Sequence, residues 1–349
     1  MTEEQLKALL DNHIDDSRAA YQDVDRDIQK AISYYLGKPF GNEVTGKSSV
    51  VNRSVAASID GSLPQLLKIF TKSVDVVEFT PQKDGDSNTA DDVTQYVNHI
   101  FNKDNSGAIL LHNWFFDSLL HKVGIISARW DDAEEKTTEE YQGLSEDELT
   151  MLVEDGSVKV LEQEELVNPV YANTEEGMPQ LDEEGQPVIQ ESNVTYNVKV
   201  EITKGKGRVK IENVPTAEFM IDRHADCIEE ARFVAQRKML TRADLVAMGY
   251  SKGVVDGLTT DDDIDPMDGT VFNPINDINN TDPSQDLIAF YECFIDIGDE
   301  AGISQKHRIC YASKTILSDT EIDYVPFYSL CPFPIPHSFY GQSMADRTM

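Results

Sequence analysis

The segment Pro326–Met349, PFYSLCPFPIPHSFYGQSMADRTM, constrains the fold more than any other stretch of the chain. Pro326, Pro332, Pro334 and Pro336 fall within eleven residues. Proline fixes φ, removes a backbone donor and restricts the residue before it, so this stretch forms neither helix nor central strand. It predicts an extended crossing segment. Phe327, Tyr328, Phe333, Phe339 and Tyr340 interleave with the prolines, which places the crossing against a core. Gly341 then turns the chain, and Ser343 is an N-cap for a helix opening Met344-Ala345-Asp346-Arg347. A helix that opens so near the last residue has nothing to bury, so the sequence reads as the N-terminal part of a longer protein.

The rest of the chain is long enough, at 349 residues and 40% hydrophobic, to build a sizeable core in one elaborated domain or two. Nothing approaches the roughly 18 consecutive apolar residues of a membrane span, and MTEEQLKALL has no secretory pattern. Cys227, Cys293, Cys310 and Cys331 are widely spaced without a CxxC pair, which argues against zinc and against a disulfide framework. The formal charge of −33 argues against long-range attraction to nucleic acid. Residues 131–191 hold 20 acids against Lys136 and Lys159, a net of −18. A solvated insertion is the ordinary reading of such a run; a surface that repels DNA is the sharper one.

In chain order, residues 3–36 carry apolar side chains at three- and four-residue steps (Leu6, Leu10, Ile14, Tyr21, Val24, Ile28). The pattern predicts one amphipathic helix stopped by Gly37 and Pro39, with Asp15, Asp16, Asp23, Asp25 and Asp27 on a solvated face. Gly41-Asn-Glu-Val-Thr-Gly46-Lys47-Ser48 then matches the phosphate-binding pattern G-x-x-x-x-G-K-[ST]. A working loop of that kind follows a buried strand, and here a charged helix precedes it. Asp131 and Glu292 are the nearest carboxylates for magnesium, and neither is convincing. The motif reads as a polar turn, with nucleotide binding the rival.

A second helix is expected over Asn52–Lys72, kinked or split by Gly61 and Pro64. Val74–Thr80 alternates as a short strand, Gln82–Asn88 is a loop, and Thr89 caps a helix with Asp92. Ala108–Val123 is apolar nearly all round and predicts a buried helix ended by Gly124, with His112 and His121 as partly buried polar positions that cannot share a metal. Ile125–Trp130 leaves as a strand. The acidic stretch is expected to hold little beyond one helix capped by Ser145 and Glu148, with a loop or hairpin over 171–192. Val194–Thr203 and Arg208–Val214 read as a hairpin around Gly205-Lys-Gly207, and Phe219–Asp222 and Arg232–Met239 as further strands. Thr241 caps a short helix with Asp244, and Asp261–Asn280 is a linker. Leu287–Ile297 and His307–Leu317 form the last hairpin. The histidines are scattered and no G-x-S-x-G elbow exists, so no catalytic constellation emerges. Cys331 is a small filler rather than a nucleophile.

The proline-rich crossing followed by His337-x-Phe339-Tyr340-Gly341-x-Ser343-x-x-Asp346 resembles the portal (head-to-tail connector) proteins of short-tailed bacteriophages. The passage Gly46-Lys-Ser-Ser-Val-Val-Asn-Arg53, and the order helix, loop, helix, glycine, strand, acidic turn, are similar to the wing of that family. The resemblance implies an α+β fold: a helical wing region over 1–130, the acidic insertion over 131–192, a β-rich wing region over 193–340 and the start of a stem helix over 341–349. It makes Arg53, Pro64, Pro336, Tyr340 and Gly341 structurally diagnostic and none of them catalytic. It implies a homo-oligomeric ring of twelve at a capsid vertex, with no cofactor and no membrane. Double-stranded DNA passes through the ring, and major capsid and scaffolding proteins, the terminase large subunit and tail or head-completion proteins are its partners. An acidic channel wall would let the duplex slide without sticking. The insertion is longer and more acidic than a generic wing requires. Apart from the phosphate-loop reading, the rival is an acidic protein-interaction module with no DNA role.

Overall fold

A computed structural model of the chain describes residues 2–39, 51–73, 75–81, 83, 87–131, 134–154, 156–171, 189–205, 207–259, 287–298 and 304–348. The fold is α+β and divides into two compact units, Met1–Arg129 with Lys210–Met349, and Trp130–Val209.

Helix α1 (Glu3–Leu36) is the spine of the first unit. Thr2 and Gln5 close a capping box at its start, and Gly37 ends it at φ 67°, where a residue without Cβ is least strained. Both ends fall where the periodicity puts them. Its N-terminal half (Leu6, Leu10, Ile14) packs on a β-sheet, and its C-terminal half (Ile28, Ala31, Ile32) enters a layer of helices. One expectation fails on this helix. Asp25 is 4% exposed rather than solvated, because it continues the stripe Tyr21, Ile28, Ile32 at helical spacing.

The helical layer adds α2 (Ser54–Thr71), α3 (Ser87–His99) and α4 (Gly107–Leu120), the last two joined through a π-helical turn at Ile100–Asp104. α2 is assigned as one helix through Gly61 and Pro64 rather than split. Val55, Ile59 and Leu63 of α2 face Leu111, Phe115, Leu119 and Leu120 of α4. Three sequence expectations are corrected here. The described part of Val74–Thr80 is not a strand: the Asn98 side chain takes the place of a sheet partner, its Oδ1 accepting from Val76 N (2.7 Å) and Val77 N (3.2 Å) and its Nδ2 donating to Val77 O (2.7 Å). Helix α3 begins at Ser87, so Thr89 lies inside it and does not cap it. Helix α4 ends at Leu120, with Lys122 taking the left-handed turn at φ 71°. Gly124 instead opens strand β1 (Gly124–Asp131), where a Cβ would strike the Trp114 carbonyl.

Five antiparallel strands form the main sheet: β6 (Phe219–Ile221), β7 (Phe233–Thr241), β8 (Leu287–Gly298), β9 (Ser304–Ala312) and β10 (Thr315–Ile322), in the order β10-β9-β8-β7-β6. Phe233, Ala235, Tyr291 and Cys293 turn to α1, while Val234 and Phe294 turn to a second core with Val123, Ile125 and Phe327. Further along, Ile288 and Phe290 are covered by α6 (Arg242–Ala247) and α7 (Lys252–Asp256) through Leu245 and Val255. Both faces are covered, so the buried run of β8 is apolar on both faces, Glu292 excepted, rather than alternating. Thr241 and Asp244 make the expected capping box. His307–Leu317 is not one strand: Ser313 (φ 47°) and Lys314 (φ 60°) form a two-residue turn between β9 and β10, both central residues at positive φ as a tight hairpin requires. The expected linker Asp261–Asn280 lies outside the described residues.

The second unit is a three-stranded antiparallel sheet, β2 (Glu134–Leu144), β3 (Val158–Tyr171) and β4 (Ile189–Gly205) in the order β2-β4-β3, with α5 (Glu146–Glu154) against it. The acidic stretch is thus more structured than its composition suggests. Val198, Val200 and Ile202 of β4 are buried with Leu149 and Leu152 of α5 beside them. One apolar face is enough to order strands whose other positions are Glu, Thr and Lys. Strand β4 pairs with β2 and β3, so the expected hairpin of Val194–Thr203 with Arg208–Val214 does not form. β5 (Arg208–Val214) joins β1 and β11 (Phe327–Leu330) in another sheet, order β11-β1-β5. The unit consequently runs to Val209, past the boundary at 192 that composition alone marks.

Candidate functional site

The proline crossing forms a joint between the sheets and the helical layer. Strand β11 is an edge strand, the position that tolerates flanking prolines, and pairs with β1 in the register Gly124↔Leu330 to Ser127↔Phe327. Pro326 O accepts from Ala128 N at 2.9 Å. Phe327 meets Phe219 (5.4 Å between ring centres) and Phe294 (5.5 Å), and Phe219 stacks on Phe339 (5.8 Å). Tyr340 lies edge-on to Phe339 (5.0 Å) and tilts over Tyr21 of α1 (6.0 Å). The crossing is packed on a core through these rings, although Tyr328 and Ile335 are exposed.

Past the rings the chain turns around Cys331. The backbone of Phe333 and Gly341 hydrogen-bonds the Cys331 sulfur, and Gln342 N donates to Phe333 O at 2.9 Å. Burial pushes the Cys331 thiol up, the opposite of what a nucleophile needs. Ser343 Oγ then accepts from Asp346 N (3.2 Å) and Asp346 Oδ2 accepts from Ser343 N (2.8 Å), which caps α8 (Met344–Thr348) as expected. Contrary to expectation, this short helix does bury something. Ala345 is fully enclosed with residues of α1, α2 and α4 around it. Asp346 lies 3.6 Å from Lys122 Nζ, which also donates to Asp27 of α1 at 2.8 Å, and the Arg347 guanidinium sits over the Phe333 ring at 4.6 Å.

The residues singled out by resemblance do not converge on one point. Tyr340 and Gly341 lie in the joint, Gly341 buried and the Tyr340 phenol pushed well up by burial. Pro336 is exposed on the same segment, and Pro64 is exposed on α2. Arg53 precedes α2, its side chain lying where a Cβ on Gly37 would be. Gly41, Gly46, Lys47 and Ser48 lie outside the described residues. Glu292, considered as a magnesium carboxylate, is 5% exposed and engaged by Arg308 Nε (2.6 Å) and Arg129 Nη1 (3.1 Å). Among the described residues only Asp226, Cys227 and Glu230 bring three candidate metal ligands within 4.8 Å, on an open surface. The four cysteines are free, and no described helix is long and apolar enough to cross a membrane.

What the geometry defines is a joint: an extended crossing, packed through aromatic rings, that delivers a capped helix into a helical layer. The chain belongs to the phage SU10 portal protein family, whose family model matches residues 6–349. The family is structural and not enzymatic, and it makes this chain a phage portal component. No individual curated protein matches it.

Proposed function

We propose that the chain is one subunit of a twelve-fold ring at the capsid vertex, through which double-stranded DNA is packaged and later ejected. Residues 1–129 and 210–340 are its wing, 130–209 the acidic insertion within that stretch of chain, and 341–349 the first turn of the stem. Major capsid and scaffolding proteins contact the ring. The terminase large subunit docks on it and supplies the work of packaging, and tail or head-completion proteins replace it afterwards. The protein is made in the host cytoplasm and ends in the virion. The observation that carries this reading is the family match across residues 6–349. Two features support it. The joint seats α8 among α1, α2 and α4, as a helix that transmits load to the wing must be seated. The net charge of −33 lets DNA pass without adhering.

The test is negative-stain electron microscopy of the protein expressed from its complete reading frame. Rings with an open central channel are expected. Monomers or small oligomers that never close into rings would overturn the reading in favour of an acidic interaction module.

A further inference from the structure

Helix α3 (Ser87–His99) buries one residue, and that residue is the polar Asn98. Thr94 and Asn98, four apart, turn one side of the helix to residues 76–79 and hydrogen-bond their backbone. Val93 and Tyr96 of the helix are 37% and 63% exposed, and Val77 and Phe79 of the bound segment are 43% and 41% exposed. None of these four joins a hydrophobic core among the described residues. A helix of 13 residues is marginal unless an apolar face packs on something. This arm therefore requires a cover that its own chain does not supply among the described residues. It is also acidic: residues 75–99 hold six acids against Lys83.

The last turns of α2 have the opposite character. No acid falls between Gly61 and Lys72, in a chain whose net charge is −33. Lys68 and Lys72 flank Ile69 and Phe70, and all four are exposed. Ser73 and Val74 alone separate Lys72 from Asp75. Even so, neither Lys68 nor Lys72 pairs with an acid of its own chain among the described residues.

We infer that α3 and its bound segment dock on the C-terminal end of α2 in a second copy of this chain. Charge selects that occupant: the arm is acidic and apolar, the α2 end is basic and apolar, and one chain supplies both. Two different surfaces meet, so the contact is head to tail and repeats from copy to copy. The inference rests on the ring reading for the presence of a neighbour, and adds the surfaces by which neighbours join.

The test is sedimentation velocity, with electron microscopy of the same samples, on the protein expressed from its complete reading frame. Asp91→Lys with Asp92→Lys is expected to raise the concentration needed for assembly about tenfold or more, and so is Lys68→Glu with Lys72→Glu. All four changes in one chain exchange the signs on both surfaces. They are expected to return that concentration to within about threefold of the parent, which a folding defect would not do. Tyr96→Ser is expected to weaken assembly about tenfold while the unfolding midpoint stays put, because this side chain is mostly exposed within the chain. Rings that form equally well in all variants, or double variants that the combined change does not rescue, would overturn the inference and leave the ring reading intact. Small oligomers that never close but follow the charge exchange would support the inference and overturn the ring reading. A parent that stays monomeric overturns both.

Discussion

Gly341 packs directly against Cys331: a Cβ placed on Gly341 would collide with the Cys331 sulfur and with the Phe333 carbonyl. The turn that carries the chain from the crossing into α8 closes only because that atom is missing. Gly341→Ala is therefore expected to cost about 1–3 kcal/mol through overpacking. Gly61, inside α2, has nothing within 4 Å of where a Cβ would stand; Gly61→Ala should instead stabilise by about 0.5–1 kcal/mol. Urea unfolding midpoints of the two variants check the pair. Equal shifts in the same direction would show that the close approach at Gly341 is not what fixes the turn.

Glu292 ties three strands together, taking Arg308 from β9 and Arg129 from β1 while Arg129 also reaches Glu212 of β5 at 3.1 Å. Removing its charge leaves two arginines without their shared partner. Glu292→Gln is expected to cost about 3 kcal/mol, the low end for a broken buried pair, because 27% and 43% of the Arg129 and Arg308 side chains remain exposed. Glu140→Gln, which removes an exposed pair with Lys199, should change stability by less than about 0.5 kcal/mol. Thermal unfolding of both variants decides whether burial or charge number sets the cost.

The sequence makes some of this legible and hides the rest for identifiable reasons. Helix α1 is readable to both ends because its stripe, its Gly37 stop and its length agree. The joint is readable because prolines, rings and a cap leave few conformations. Strand β8 conceals its two faces because both are covered, and Ser313-Lys314 lacks the glycine or asparagine that usually announces a tight hairpin. The second unit is hidden by its acids, which mask the alternation of Val198, Val200 and Ile202. The burial of Asp25 had one visible signal: it falls on the apolar stripe between Tyr21 and Ile28. A charge at such a position is the one worth pursuing. His121 offers no comparable signal, since its surroundings come from α1 and the turn at Thr216, far away in sequence.

Asn98 acts as a side-chain substitute for a β-partner, and Phe79 N adds a bond to Thr94 Oγ1 at 3.0 Å. Asn98→Ala removes the bonds at Val76 and Val77 together but leaves the helical core of Ile59, Phe115 and Leu119 untouched. Amide exchange at Val76 and Val77 is expected to speed up by tenfold or more while the global unfolding midpoint moves little. Unchanged exchange at these two amides would show that the segment is held by other contacts.

Asp117 and His121 make opposite contributions to the pH dependence of stability. Burial raises Asp117 from 3.8 to about 7 and lowers His121 from 6.5 to about 4. The Asp117 contribution is complete below its unfolded value and is lost as pH rises towards 7. The His121 contribution is complete above its unfolded value and is lost as pH falls towards 4. Between about 4 and 6.5 folding moves a proton from the histidine to the carboxyl, so the pair binds the same number of protons folded and unfolded. The two slopes cancel, and the unmutated protein is expected to show no net slope from this pair. Asp117→Asn exposes the histidine alone, and stability should then rise with pH across this window relative to the parent. His121→Gln exposes the carboxyl alone, and stability should fall with pH instead. Each slope is at most about 1.4 kcal/mol per pH unit, the linkage limit for one proton. Denaturant titrations at pH 4.5, 5.5 and 6.5 check the signs, and variants with parallel slopes would show that the two side chains titrate normally in the fold.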